Sequence, residues 1–275
     1  MKRLLIFILI ILVAQSSCNS NHSKSIKDDY APKFTSNQLQ SRLKNAFISN
    51  SKDSLIEFIK EWNSLIPPSN KEYINQNDTI KNIYSLFSDL YKPYNFGSVG
   101  TETPYKIEDE YVLIPCEIAY NVVSIDTFKI LSKNYNLYED YRSHLLSNFR
   151  PTTIVNPKKQ LFLTKEYKDA LNSFLGTKHS EVGEGDIMSP SQPKEESFFK
   201  FKFVRQYLPI LEGHWGGYWY LETFPIVYRI IFDENFENAF VDFRDGYRTI
   251  MQYKVTKHKD KWIDNSNREY RFRQE

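Results

Sequence analysis

Glu212, His214 and Glu222 are the nearest thing in this chain to an acid/base cluster. They bracket the aromatics of the run Glu212-Gly213-His214-Trp215-Gly216-Gly217-Tyr218-Trp219-Tyr220-Leu221-Glu222. A carboxyl group held against an aromatic wall loses solvation, so its pKa rises and it can act as an acid, as glycoside cleavage requires. Trp215, Tyr218 and Trp219 would supply the stacking platform for such a ligand. The plainer reading is structural: Gly216-Gly217 permits a tight turn that delivers the same rings into a core beneath a sheet. We take this plainer reading as the leading one.

Other chemistries find little to build on. The five histidines, at 22, 144, 179, 214 and 258, never pair at metal-ligand spacing, so no zinc site is expected. There is no G-x-S-x-G, Walker A or G-x-G-x-x-G pattern. Cys116 lies in the apolar stretch Tyr111 to Ala119 without a nearby histidine, which suits a buried structural thiol better than a nucleophile. No cofactor is expected, and no catalytic residue is assigned.

The first twenty residues carry an address. Met1-Lys2-Arg3 is followed by eleven uninterrupted apolar residues, Leu4 to Ala14. That run is too short to span a bilayer comfortably and has the charge and apolar order of a secretory leader. Ser16-Ser17-Cys18 then resembles the lipobox of bacterial lipoproteins, although Gln15 stands where a branched apolar residue is usual. The resemblance implies lipidation of Cys18 after removal of residues 1–17, and an outer-membrane location with the periplasmic face favoured. Residues 18–35 read as a polar tether, since Asn19 to Thr35 has no apolar periodicity.

Loss of Lys2 and Arg3 would lower the 36 basic residues to 34, matching the 34 acidic ones. A neutral chain of this kind argues against a nucleic-acid partner. With Cys18 acylated only Cys116 remains of the two cysteines, so a disulfide framework is excluded. Aromatics make up 16% of the chain, a composition that suits sheets and contact surfaces rather than a disordered stalk.

Within a globular body over 36–275, helices are expected first. Ser36 is read as the cap of one bearing Leu39, Leu43, Ala46 and Phe47, and Asp53 of another bearing Leu55, Ile56, Ile59 and Trp62, stopped by Pro67-Pro68. Asp78 opens the clearest helix, with Ile80, Ile83, Tyr84, Phe87, Leu90 and Tyr91 on one face and Pro93 beyond it. A loop over 95–109 leads to strands at 110–119 and 121–131, with Pro115 implying an edge or a bulge. Residues 138–149 read as helical and 161–163 as a strand. Thr164 caps a helix closed by Gly176.

Residues 177–197 form a long polar loop, the boundary of candidate subdomains 36–175 and 198–275. Phe199, Phe203 and Tyr207 then favour a helix ended by Pro209. From Ile226 onward alternation takes over. Ile226, Tyr228, Ile230 and Phe232 are assigned one face, as are Ala239, Val241 and Phe243, then Tyr247, Met251, Tyr253 and Val255, and finally Tyr270 and Phe272. Arg229, Asp242, Arg244, Arg248, Gln252, Lys254, Arg271 and Arg273 take the other, giving an antiparallel meander with one buried and one wet face.

The fold class is therefore α+β. Helices followed by a curved antiparallel meander resemble the nuclear transport factor 2-like and cystatin-like folds, some of which hold a pocket between helix and sheet while others are plain interaction modules. Asp53-Ser54-Leu55 and Asp78-Thr79-Ile80 look like O-glycosylation triplets of exported proteins in one group of Gram-negative bacteria, but serve equally as helix starts. The functional expectation is a lipid-anchored, non-catalytic binding module acting through residues 212–222 or the wet sheet face. A glycan-binding or glycoside-cleaving protein and an accessory subunit of an envelope assembly stand beside it. Its expected partners are the membrane, through Cys18, and a protein or a glycan.

Overall fold

A computed structural model describes residues 30–93, 111–133, 142–152, 159–176, 195–212, 219–245 and 249–264. The leader, Cys18, the loops at 95–109 and 177–194, residues 213–218 and the tail carrying Tyr270 and Phe272 lie outside the described residues. Seven helices and ten strands are present among those described.

The helices begin where side chains can satisfy the first free backbone N–H groups. α1 (Ser36–Ile48) is capped by Thr35, whose hydroxyl accepts from the Gln38 N–H while the Gln38 side chain accepts from the Thr35 N–H. α2 (Lys52–Leu65) is capped by Ser51, and α4 (Asp78–Leu90) by Asn77. Each cap precedes the residue expected from sequence by one or two positions; Asp53 and Asp78 sit instead in the first turn, where an acidic residue is favourable without being the cap. The single-turn α3 (Lys71–Ile74) was not anticipated; it is capped by Asn70.

β1 (Tyr111–Pro115) and β2 (Glu117–Val123) are split at Cys116, and the two strands join different sheets. Pro115 ends the first strand there, consistent with a residue that cannot extend a ladder. β1 pairs in parallel with β4 (Lys159–Leu163). Against this pair α1 and α2 pack together with α6 (Lys165–Leu175). Trp62 seals the join: its ring stacks on Tyr167 at 4.4 Å between centroids and its indole N–H donates to the Phe162 carbonyl at 3.0 Å.

Two expected elements are corrected. Residues 125–131 are helical, not strand: α5 (Ile125–Lys133) starts at Ser124, whose hydroxyl accepts from the Thr127 N–H. Residues 144–147, read as part of a helix, form β3 (His144–Ser147), antiparallel to β2. In both cases the pairing partner lies far along the chain, so local periodicity misassigns the element.

The main sheet has six strands in the order β10-β9-β8-β7-β2-β3. Its meander consists of β7 (Ile226–Asp233), β8 (Asn238–Asp245), β9 (Thr249–His258) and β10 (Lys261–Asp264). The β9–β10 turn places Lys259 and Asp260 at φ 48° and 64°, as a two-residue turn between twisted strands requires. β7 also pairs in parallel with β2, joining the carboxy-terminal meander to the central strands. One core cluster runs from Leu39 to Trp262.

The meander differs from expectation in two respects. A bulge between Val227 and Arg229 turns Val227 inward and leaves Tyr228 51% exposed, reversing the face assigned to Tyr228. The second face is not simply wet. Phe128 and Leu131 of α5 cover Val123, Ile231 and Phe240 there, with Phe128 stacked on Phe240 at 4.4 Å. Beside this patch Arg229 and Asp242 form a buried ion pair at 2.9 Å.

α7 (Glu195–Arg205) confirms the helical reading of the Phe-rich stretch, with Phe201 and Phe203 buried. It begins inside the stretch read as loop to residue 197. The described helices include none long and apolar enough to cross a membrane.

Candidate ligand-binding cleft

The aromatic run is only partly visible, and what is visible is structural. β5 (Leu211–Glu212) and β6 (Trp219–Tyr220) form a two-stranded hairpin. Trp219 is 5% exposed, stacked on Phe201 at 4.6 Å, with its indole N–H donating to the Gly176 carbonyl at 3.0 Å. Its ring is therefore closed to a ligand. Tyr220 packs with Leu211 and Phe224 in a small separate cluster. Glu222 pairs with Lys168 of α6 at 2.9 Å, which ties the run to the helices. His214, Trp215 and Tyr218 lie outside the described residues, as does the side chain of Glu212.

Unfilled volume lies elsewhere, between the carboxy-terminal end of α4 and the adjoining face of β8, β9 and β10. The cause is legible in α4. Asn82, Ser85 and Asp89 fall at i, i+3 and i+7, making a polar stripe beside the helix's apolar face. All three bind the last hairpin. Asn82 Oδ1 accepts from Lys257 Nζ at 2.9 Å, Ser85 Oγ from the Trp262 indole N–H at 3.1 Å, and Asp89 Oδ2 from the Trp262 backbone N–H at 2.9 Å.

This stripe fixes the hairpin against the helix. One residue beyond Asp89 the helix ends, and among the described residues no helix covers the sheet surface past that point. The result is a cleft of about 380 Å³. Its floor is Phe243, Tyr253 and Val255, one side is Trp262, Ile263 and Asp264, and the other is Asp89, Leu90 and Lys92, with Pro225 at the end. Phe243 and Tyr253 meet edge to face at 5.2 Å, which holds the floor in a fixed geometry.

The size falls within the range of small-molecule sites, and the composition is typical of them: mostly apolar walls with a few charged groups. Trp262 is 3% exposed, so it serves mainly as a rigid wall. Tyr253 is half-buried and offers its ring to the opening. No group of three or more histidine, cysteine, aspartate or glutamate side chains among the described residues is placed to hold a metal ion.

None of the cleft residues was singled out as a site from sequence, although Phe243, Tyr253 and Val255 were placed on the correct face. Trp262 fell between the alternating face that ends at Val255 and the pair Tyr270 and Phe272, and was assigned to neither. The available signal was the four-residue strand Lys261–Asp264 itself, together with the polar 82/85/89 stripe on an otherwise apolar helix. Compared with known proteins, the chain matches no family model, no curated protein and no solved structure.

Proposed function

We propose that the protein is a lipid-anchored binding module of the cell envelope, held through Cys18 on the periplasmic face of the outer membrane, with the cleft between α4 and the meander as its ligand site. The cleft carries this reading. Tyr253 on its floor is only half-buried, so a ligand in this cleft would cover apolar surface at the margin of a well-packed core. The arrangement of helix, antiparallel meander and intervening pocket also supports placing the body among the nuclear transport factor 2-like or cystatin-like folds.

The anchor supplies the location. Eleven residues lie between Cys18 and Tyr30, the first described residue, giving a reach of at most about 40 Å when extended. Tyr30 itself is fixed to the body, with the Arg150 guanidinium 5.0 Å from its ring centre. A protein so placed meets small molecules in the periplasm without leaving the membrane surface.

Calorimetric titration of the mature protein with tryptophol, a neutral aromatic alcohol, tests the cleft. Saturable binding that Leu90→Trp abolishes by filling the volume is the expected outcome. Binding unaffected by Leu90→Trp would place the ligand elsewhere and remove the proposal's basis. The anchor is tested by fatty-acid labelling, which should be lost in Cys18→Ala; equal labelling of the two proteins would overturn it.

A further inference from the structure

The chemistry of the cleft points to a ligand class. Asp89 is half-buried at the mouth of the cleft. Its Oδ2 is occupied by the Trp262 backbone N–H. No Lys or Arg among the described residues pairs with it, and Lys92, three residues on, is exposed at the rim without an ion pair. Lys257 donates to Asn82 and lies 5.9 Å from the Trp262 ring centre, so that ring already faces a cation.

A half-buried carboxylate whose neighbours are Leu90, Tyr253 and Trp262 has lost part of its hydration and gains more than an exposed one from a cation brought beside it. The aromatic faces beside it add to the same preference, because the negative face of a ring attracts a positive charge. A neutral ligand collects only the apolar contact, and an anion drawn toward Lys92 at the rim still meets the Asp89 carboxylate.

We propose that the cleft selects organic cations: molecules with a flat apolar body that lies against the half-buried Tyr253 ring and an ammonium nitrogen that binds Asp89 Oδ1. This deepens the cleft reading above and rests on it. Asp89 acts as the specificity group, while Trp262 positions it through the backbone N–H bond. No covalent step is involved.

Tryptamine, tryptophol and indolepropionate share one ring and a short arm and differ in the charge at its end. Titrated into the mature protein, tryptamine should bind at least about tenfold more tightly than tryptophol, the scale of one charge-assisted hydrogen bond. Indolepropionate should bind least. Asp89→Asn keeps the acceptor for the Trp262 N–H, so tryptophol affinity should stay within about threefold while the tryptamine advantage disappears.

Salt provides a check that needs no variant: raised ionic strength should weaken tryptamine and leave tryptophol unchanged. Equal binding of tryptamine and tryptophol to the wild type would overturn the cation preference and leave the cleft standing. A tryptamine advantage that survives in folded Asp89→Asn would overturn the assignment to Asp89. Absence of binding by all three ligands would overturn the cation preference and the cleft reading together.

Discussion

Trp219 and Trp262 are both nearly inaccessible, and both commit the indole N–H to a distant element, yet only one stands beside open space. Around Trp219 the volume is filled: Phe201 stacks on its ring and Gly176 closes the α6 terminus over its edge. Around Trp262 the polar stripe of α4 stops at Asp89 and, among the described residues, no helix continues over the cleft, whose floor is the buried Phe243 and the half-buried Tyr253. The proposed ligand site lies where the described helix ends early, not where aromatic residues are densest in the sequence. The contrast between closed and open surroundings recurs in the ion pairs and the phenols, and each instance gives a measurement.

The largest effect belongs to the closed tryptophan. Trp219→Ala should cost about 3–5 kcal/mol by removing a fully packed ring and an indole hydrogen bond. Denaturant unfolding followed by circular dichroism measures it. A loss below about 1 kcal/mol would mean that the ring is not part of the core, and the comparison would fail at its first term.

Close behind stands the buried ion pair of the second sheet face. Arg229 donates from Nε and Nη2 to one oxygen of Asp242, at 3.1 and 2.9 Å, and the side chains are 11% and 4% exposed. Asp242→Ala leaves a buried guanidinium without this partner and should cost about 3 kcal/mol or more. The double replacement Arg229→Met with Asp242→Leu should recover most of that loss. Failure to recover would show that the pair contributes beyond cancelling its own desolvation.

The open site reverses the pattern of the closed one. Tyr253→Ala should reduce stability by about 1–2 kcal/mol, because the ring is only half-buried, while removing most of the tryptophol binding. Thermal unfolding and calorimetry on one preparation give both numbers. Large destabilisation with intact binding would make the cleft a structural gap and Tyr253 a core residue.

These cases also show what the sequence could and could not reveal. The amphipathic helices at 36–48, 52–65 and 78–90 were legible because an apolar stripe at helical spacing is a local property. The antiparallel meander was legible from alternation, but its exact faces were not: one bulge at Tyr228 depends on the register with β8 and reverses the assignment of a ring. α5 and β3 were misread because Phe128 is buried by Phe240 and β3 by β2, contacts formed across many residues. The candidate site was the least legible part. Trp215, Tyr218 and Trp219 drew attention by density, whereas Asp89 and Trp262 lie 173 residues apart and acquire meaning only when α4 meets the last hairpin.

A closed phenol gives a pH test. Tyr91 is 6% exposed and burial pushes its hydroxyl well above the usual tyrosine range. Its contribution to stability is complete below the unfolded value near 10 and is lost as pH rises beyond it, because the unfolded chain releases the proton first. The slope should approach about 1.4 kcal/mol per pH unit for this one group. Tyr91→Phe should flatten the alkaline limb of a stability curve measured from pH 9 upward; an unchanged limb would assign the lability to other tyrosines.

The smallest effect is expected from the exposed counterpart of the Arg229–Asp242 pair. Arg42 Nη2 lies 2.5 Å from Glu61 Oε2, with the side chains 36% and 28% exposed, and Lys33 approaches the other oxygen at 3.4 Å. The Arg42 hydrogen bond, followed by the attraction of both cations, holds the Glu61 carboxyl below the ordinary glutamate range despite some desolvation. A depressed carboxyl stabilises the fold above its unfolded pKa and loses that contribution as pH falls through the folded value. Solvent screening limits it to roughly 0.5 kcal/mol. Glu61→Gln should therefore lie slightly below wild type at pH 7, converge with it at strongly acid pH, and converge likewise in high salt at neutral pH. A difference as large as that of Asp242→Ala, or one insensitive to salt, would show that exposure does not set the strength of these pairs.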